Sequence, residues 1–135
     1  MSGGATQREG DSSGRQTARG VQLHTDFLVD LEREQEFVDA WRNEWLPRVS
    51  GASGFVEGRL LKLRQANVGD PPAQLNYRLV QVFRSEELRH AWSEAPGHAG
   101  AWPPLERPLK MPPGTRWLFT ALLFDEQEAG GQQGA

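Results

Sequence analysis

The chain of 135 residues contains no cysteine. Disulfides and thiolate metal sites are therefore excluded. Its three histidines, His24, His90 and His98, show no H-x-x-x-H or related spacing, so no metal centre is expected. No apolar run reaches the roughly 20 residues that a membrane helix needs. The Gly- and Ser-rich start has no apolar segment of the kind a secretory leader carries. A cytoplasmic location without membrane contact is the default expectation. Charges of both signs are interspersed, 15 Lys and Arg against 18 Asp and Glu, and sum to −3. With no basic stripe, a nucleic-acid partner is not expected. No G-x-G-x-x-G follows a strand, and there is no P-loop and no G-x-S-x-G elbow.

What remains is one domain's worth of patterned sequence. Residues 1–20 hold no aromatic residue and no Leu, Ile or Val. Such a segment cannot bury enough apolar surface to repay its ordering entropy, and it reads as a disordered tail. Residues 127–135 have the same character. The folded domain is expected over residues 21–126.

Residues 21–29 alternate with period two. Val21, Leu23, Thr25, Phe27 and Val29 form an apolar face, and Gln22, His24, Asp26 and Leu28 face the other way. Asp30 is placed to cap a helix, with Glu32 and Glu34 suited to its positive end. Phe37, Val38, Trp41 and Trp45 recur at helical spacing, and Pro47 is expected to end the helix. Gly51 and Gly54 offer positive φ in the turn that follows. A second strand is expected over residues 55–63, with Phe55, Glu57, Arg59, Leu61 and Leu63 on one face. A long connection around Gly69, Asp70, Pro71 and Pro72 leads to a third strand over residues 76–83. Ser85 caps a second helix whose Leu88, Ala91, Trp92 and Ala95 fall on one face. Pro96 and Gly97 are expected to stop it, and residues 98–113, with five prolines, read as a loop. The run WLFTALLFD at 117–125 is a fourth strand, apolar enough for burial on both faces or a subunit contact.

The order strand, helix, strand, strand, helix, strand is the split-βαβ, ferredoxin-like α+β pattern. Right-handed crossovers put both helices on one face of a four-stranded antiparallel sheet. The other face is left bare, so a partner is expected to cover it.

Three local patterns then resemble those of the dimeric α+β barrel superfamily, which includes antibiotic-biosynthesis-monooxygenase-like and EthD-like proteins. Glu44-Trp45-Leu46-Pro47 followed by Gly54-Phe55 is similar to that family's helix end and entry to strand two. Phe83-Arg84-Ser85-Glu86-Glu87-Leu88 is similar to its strand-to-helix entry. Ala95-Pro96-Gly97-His98 is similar to its small-Pro-x-His ending. The resemblance spans the whole predicted domain. It implies a homodimer with sheets packed face to face, and a pocket in each subunit between helices and sheet. It further implies an enzyme of the cofactor-independent monooxygenase type, or a related cyclase, acting on an aromatic or polyketide-like small molecule. Other members bind haem, for which one histidine would suffice, or have no known activity. Trp45 stands where related proteins often carry His, so an acid–base role resting on that position has no residue here.

The candidate residues each have a functional and a plainer reading. His98, matching the family's His, is a candidate to orient a phenol or move a proton, or else it caps carbonyls; near a helix C-terminus its protonated form would be favoured. His24 is a second candidate for proton transfer, or a hydrogen-bonder at a subunit contact. His90 reads as surface. Arg59 is suited to a carboxylate or enolate, or to an ion pair with Glu57 or Asp26. Tyr77, the sole tyrosine, is suited to donate to an oxyanion or to pack. Trp41, Trp45, Trp92 and Trp102 are either core or the stacking walls of an aromatic site. Two functions remain open: a small-molecule-transforming enzyme, and a non-catalytic dimeric binding or accessory protein.

Overall fold

A computed structural model describes residues 20–131. The tail readings for residues 1–19 and 132–135 lie outside the described residues. Strands β1 (Val21–Phe27), β2 (Phe55–Lys62), β3 (Tyr77–Phe83) and β4 (Phe119–Asp125) form one sheet in the order β2-β3-β1-β4. All neighbours run antiparallel. Between β1 and β2 lie α1 (Glu34–Ala40) and α2 (Leu46–Ser50), joined through a π-helical segment, Trp41–Trp45. Between β3 and β4 lie α3 (Glu86–Ser93), α4 (Pro96–Ala101) and α5 (Pro103–Glu106). This is the ferredoxin-like α+β fold, with the first and last strands paired at the sheet's β4 edge.

The alternation in β1 and β3 does the sorting. Tyr77, Leu79, Gln81 and Phe83 are all buried, with Thr25 and Phe27 beside them on β1. The helices supply Phe37, Trp45, Val49, Trp92 and Leu105 to the same layer. Asp30 caps the chain entering the first helix, accepting from the Glu32 N–H, and Ser85 caps α3 by accepting from the Leu88 N–H.

Five local expectations are corrected. Pro47 does not end the first helix; it sits in the first turn of α2, which runs on to Ser50. Proline lacks the N–H for the i→i−4 ladder and its ring clashes with the preceding turn. The widened π segment just before it, in which the Leu46 N–H reaches the Trp41 carbonyl, relieves both problems. Only Gly54 of the two turn glycines has positive φ, at 84°, while Gly51 is near −84°. A β-carbon on Gly54 would lie 2.5 Å from Leu88 Cδ1, so α3 packs directly on this turn.

In β2 a bulge between Phe55 and Glu57 shifts the register against β3. The extra residue flips the pleat. Phe55 therefore shares the helix side with Gly58 and Leu60, not with Glu57 and Arg59; the Gly58 backbone faces the Phe55 ring and Leu46. Finally, Pro96 starts a helix rather than stopping one. α3 ends at Ser93, and Pro96 takes the first turn of α4, where a missing N–H costs nothing. The proline-rich stretch is largely helical, and it is pinned to the end of β1 by a Val29–Leu109 bridge and by Asp30 and Lys110 backbone bonds.

Candidate functional site

The helical layer does not cover its side of the sheet evenly. At one end of the β1–β4 pair, Phe27 and Thr25 are completely buried. Toward the other end of the same face, Leu23 is half-buried, and Ala121 and Leu123 on β4 are exposed, Leu123 by 44%. The result is an apolar shelf on the helix side, beginning where Phe119 ends the covered part.

An aromatic series leads from that point into the helices. The Trp102 ring stacks on Phe119 (centroids 5.6 Å, planes 13° apart) and meets Trp45 edge-on at 6.0 Å. The Trp102 indole N–H donates to His98 Nε2 at 3.1 Å, and the His98 ring stands edge-on to Trp92 at 5.4 Å. Four residues singled out from sequence, Trp45, Trp92, His98 and Trp102, are thus brought together. His98 belongs to α4, not to the C-terminus of α3. Burial, and then the nearby Arg89 charge, lower its pKa below the ordinary histidine value. The dipole-favoured protonated form does not apply here. An indole N–H is a donor only, so Nε2 must be the unprotonated ring nitrogen and the proton sits on Nδ1.

Near this cluster the protein also carries unpaired polarity. Trp41 Nε1, Trp45 Nε1, Thr25 Oγ1 and Gln81 Oε1 are buried without a hydrogen-bond partner. Thr25 and Gln81 are diagonal neighbours on the helix side of β1 and β3. Two donors and two acceptors are therefore available in the layer between helices and sheet, where unpaired polar atoms are uncommon.

The other candidates lie elsewhere. His24 is on the opposite, bare face of the sheet, edge-on to Phe124 at 4.9 Å. Gln22 turns its amide N–H₂ toward Glu126, so its carbonyl accepts from His24 Nε2–H at 2.9 Å. The Nδ1 lone pair of neutral His24 is consequently not used by Gln22. Burial, and then Arg78, lower its pKa, against a smaller opposing effect of Asp26. Arg59 is also on the bare face, mostly exposed, and pairs with Glu57. Asp26 instead receives a two-pronged contact from Arg78, at 2.7 and 3.0 Å. Tyr77 lies under α1, its ring against Phe37 and its hydroxyl donating to Glu34, which also binds Lys62. Burial, then the Glu34 contact, push its pKa up to about 12, so it is a committed phenol at neutral pH. Trp41 packs half-buried against the core, and His90 pairs with Glu94 on the surface.

Phe119 and the shelf were not legible as site residues, because nothing in an apolar strand says which of its positions the helices will leave open. Glu34 was read as a dipole partner; its link to Tyr77 spans 43 positions and has no local signal.

No family model matches the sequence, and no curated protein matches it at significant similarity. Solved structures do match. SnoaB, a cofactor-independent oxygenase from Streptomyces nogalater, superimposes with a TM-score of 0.56 at 19% identity, covering 83% of this chain and 97% of that one. MhuD, a haem degrader from Mycobacterium tuberculosis seen with two haems in its active site, gives 0.57 at 18%, covering 82% and 99%. A dimeric protein of ferredoxin-like fold from Bacteroides fragilis gives 0.57 at 10%, covering 79% and 96%. At these identities the likeness is one of fold. It agrees with the ferredoxin-like α+β fold expected from the sequence. An axial haem ligand needs an imidazole lone pair; that of His98 accepts from Trp102, while Nδ1 of His24 is not used by Gln22. Among the described residues no three His, Cys, Asp or Glu side chains cluster for a metal ion, and no helix is long and apolar enough to cross a membrane.

Proposed function

We propose that this chain is a cofactor-independent, monooxygenase-like enzyme acting on a flat aromatic or polyketide-like substrate bound at the helix-side shelf. The observation that carries this is a neutral imidazole whose Nε2 lone pair already accepts a proton donor beside an uncovered apolar surface. A phenolic or enolic substrate would replace the Trp102 N–H at His98 Nε2 and pass its proton there. Trp102 and Phe119 supply stacking area. The electron-rich carbanion then reacts with O₂. For an anthrone, a CH₂ group and O₂ become C=O and H₂O, so no outside reductant is needed. Similarity of fold to a cofactor-independent oxygenase supports this reading. His24, on the other face, would act only at a contact between two copies, and the bare face supports a homodimer, as does the dimeric Bacteroides neighbour.

A second reading, a non-catalytic binding or accessory protein, is favoured by one specific observation. Trp45 is wholly buried, and the interior it fills is rich in large aromatic side chains. Oxygen uptake with anthrone as probe separates the two. Uptake abolished by His98→Ala supports the enzyme, and uptake no greater than without protein supports the accessory role.

A further inference from the structure

On the side of Trp92 away from His98, a cleft of about 330 Å³ runs between the end of α2 with its following turn and the apolar face of α3. Its walls are apolar, formed by Leu88, Ala91, Trp92 and Ala95, and its polar groups are the Arg48 guanidinium and Ser53. That volume is at the lower end of what small organic ligands occupy. Two further clefts provide an internal comparison. One of about 330 Å³ is lined by Asp30 and Glu32 as well as Lys110, and that lysine faces Asp30 at 3.9 Å. The other, of about 220 Å³, holds Lys62 and Arg78, which are paired with Glu34 and Asp26. Arg48 differs from these cations. Among the described residues it takes part in none of the ion pairs, and no carboxylate lines its cleft. Its side chain lies across Gly100 of α4, where an added β-carbon would sit 3.3 Å from Nη1. The side chain is exposed, and its guanidinium passes over α4 at the rim of the cleft. Of the acids in and just after α3, Glu86 pairs with Arg89 and Glu94 with His90, and neither these nor Glu87 line the cleft.

We infer that this cleft is a binding site for a small amphipathic monocarboxylate. The hydrocarbon body lies on Ala91, Leu88 and the Trp92 ring. The carboxylate takes the two-pronged contact that a guanidinium offers, with Ser53 as a further donor. The opposite neighbour of Trp92 is His98, so occupancy would be felt at the candidate active site. The inference does not depend on the oxygenase proposal.

The test is titration of the full chain with 3-phenylpropionate, its neutral amide and inorganic phosphate, followed by NMR shifts of the Trp92 indole and the Ala91 and Ala95 methyls. Saturable binding below roughly 10 mM is expected for the carboxylate. Arg48→Gln should weaken it about tenfold while leaving the amide unchanged. Ala91→Leu, at an exposed helix position, should abolish binding of both by filling the cleft. Equal affinity for phosphate and phenylpropionate, an Arg48→Gln variant that binds the carboxylate normally, or no saturation would each overturn the inference.

Discussion

The behaviour of His98 turns on one hydrogen bond. Donation by Trp102 is possible only to a neutral ring, so it adds to the burial and Arg89 effects that favour the unprotonated form. Replacing Trp102 by Phe would keep the stack on Phe119 but remove the donor. The His98 pKa, followed by its ring proton shifts, should then rise toward the ordinary histidine value. An unchanged titration would mean that the bond does not matter in solution. The same lowered pKa links to stability. His98 and His24 are both harder to protonate in the folded chain than in the unfolded one. Between the lowered values and about 6.5 the unfolded chain binds more protons, so stability should fall as pH drops through that window. Urea midpoints for the wild type, compared with those for a His24→Gln, His98→Gln double variant between pH 7.5 and 5.5, check this. The variant should lose less stability on acidification.

At the scale of elements, the turn before β2 leaves no room for a side chain. Gly54 combines a left-handed backbone with a β-carbon position already filled by Leu88. Gly54→Ala should cost about 2–4 kcal/mol, the sum of backbone strain and overpacking. A loss below about 0.5 kcal/mol in urea unfolding would show that the turn yields easily. Trp45→Ala should cost about 3–5 kcal/mol, because the ring is completely buried. The strands and their order were legible, since period-two alternation in β1 and β3 maps directly onto burial. What was not legible turned on one-residue events. The bulge after Phe55 swaps the faces of β2, and no residue in Phe55-Val56-Glu57 announces it. Pro47 and Pro96 read as stops, yet each occupies the first turn of a helix, where proline is harmless. Their effect depends on what the preceding turn does. Of the site, the four residues Trp45, Trp92, His98 and Trp102 were legible as types. Their assembly was not, nor was the separation of His24 and Arg59 onto the other face.

For the whole molecule, the bare face of the sheet carries Val80, Val82, Leu122 and Phe124 around the Asp26–Arg78 pair and His24. Leu122 and Phe124 are about half exposed, and β4 is an edge strand. Such a surface invites a second copy. A dimer formed through it would enclose His24 further and disfavour its protonation, with Arg78 acting in the same direction and Asp26 against it. The dimer should therefore weaken as pH falls through the already lowered pKa of His24 in the monomer, which sedimentation velocity at pH 7.5 and 5.5 would show. His24→Gln should remove that dependence without removing the dimer. A monomer at micromolar concentration at both pH values would refute the interface. The account as a whole rests on chemistry at the helix-side shelf. Its most direct test is O₂ consumption by the purified protein with anthrone, matched against His98→Ala. The account predicts stoichiometric conversion of anthrone and O₂ to the quinone and water, slowed about 10²–10⁴-fold in the variant. Equal rates in both proteins, or no uptake above the protein-free solution, would contradict it.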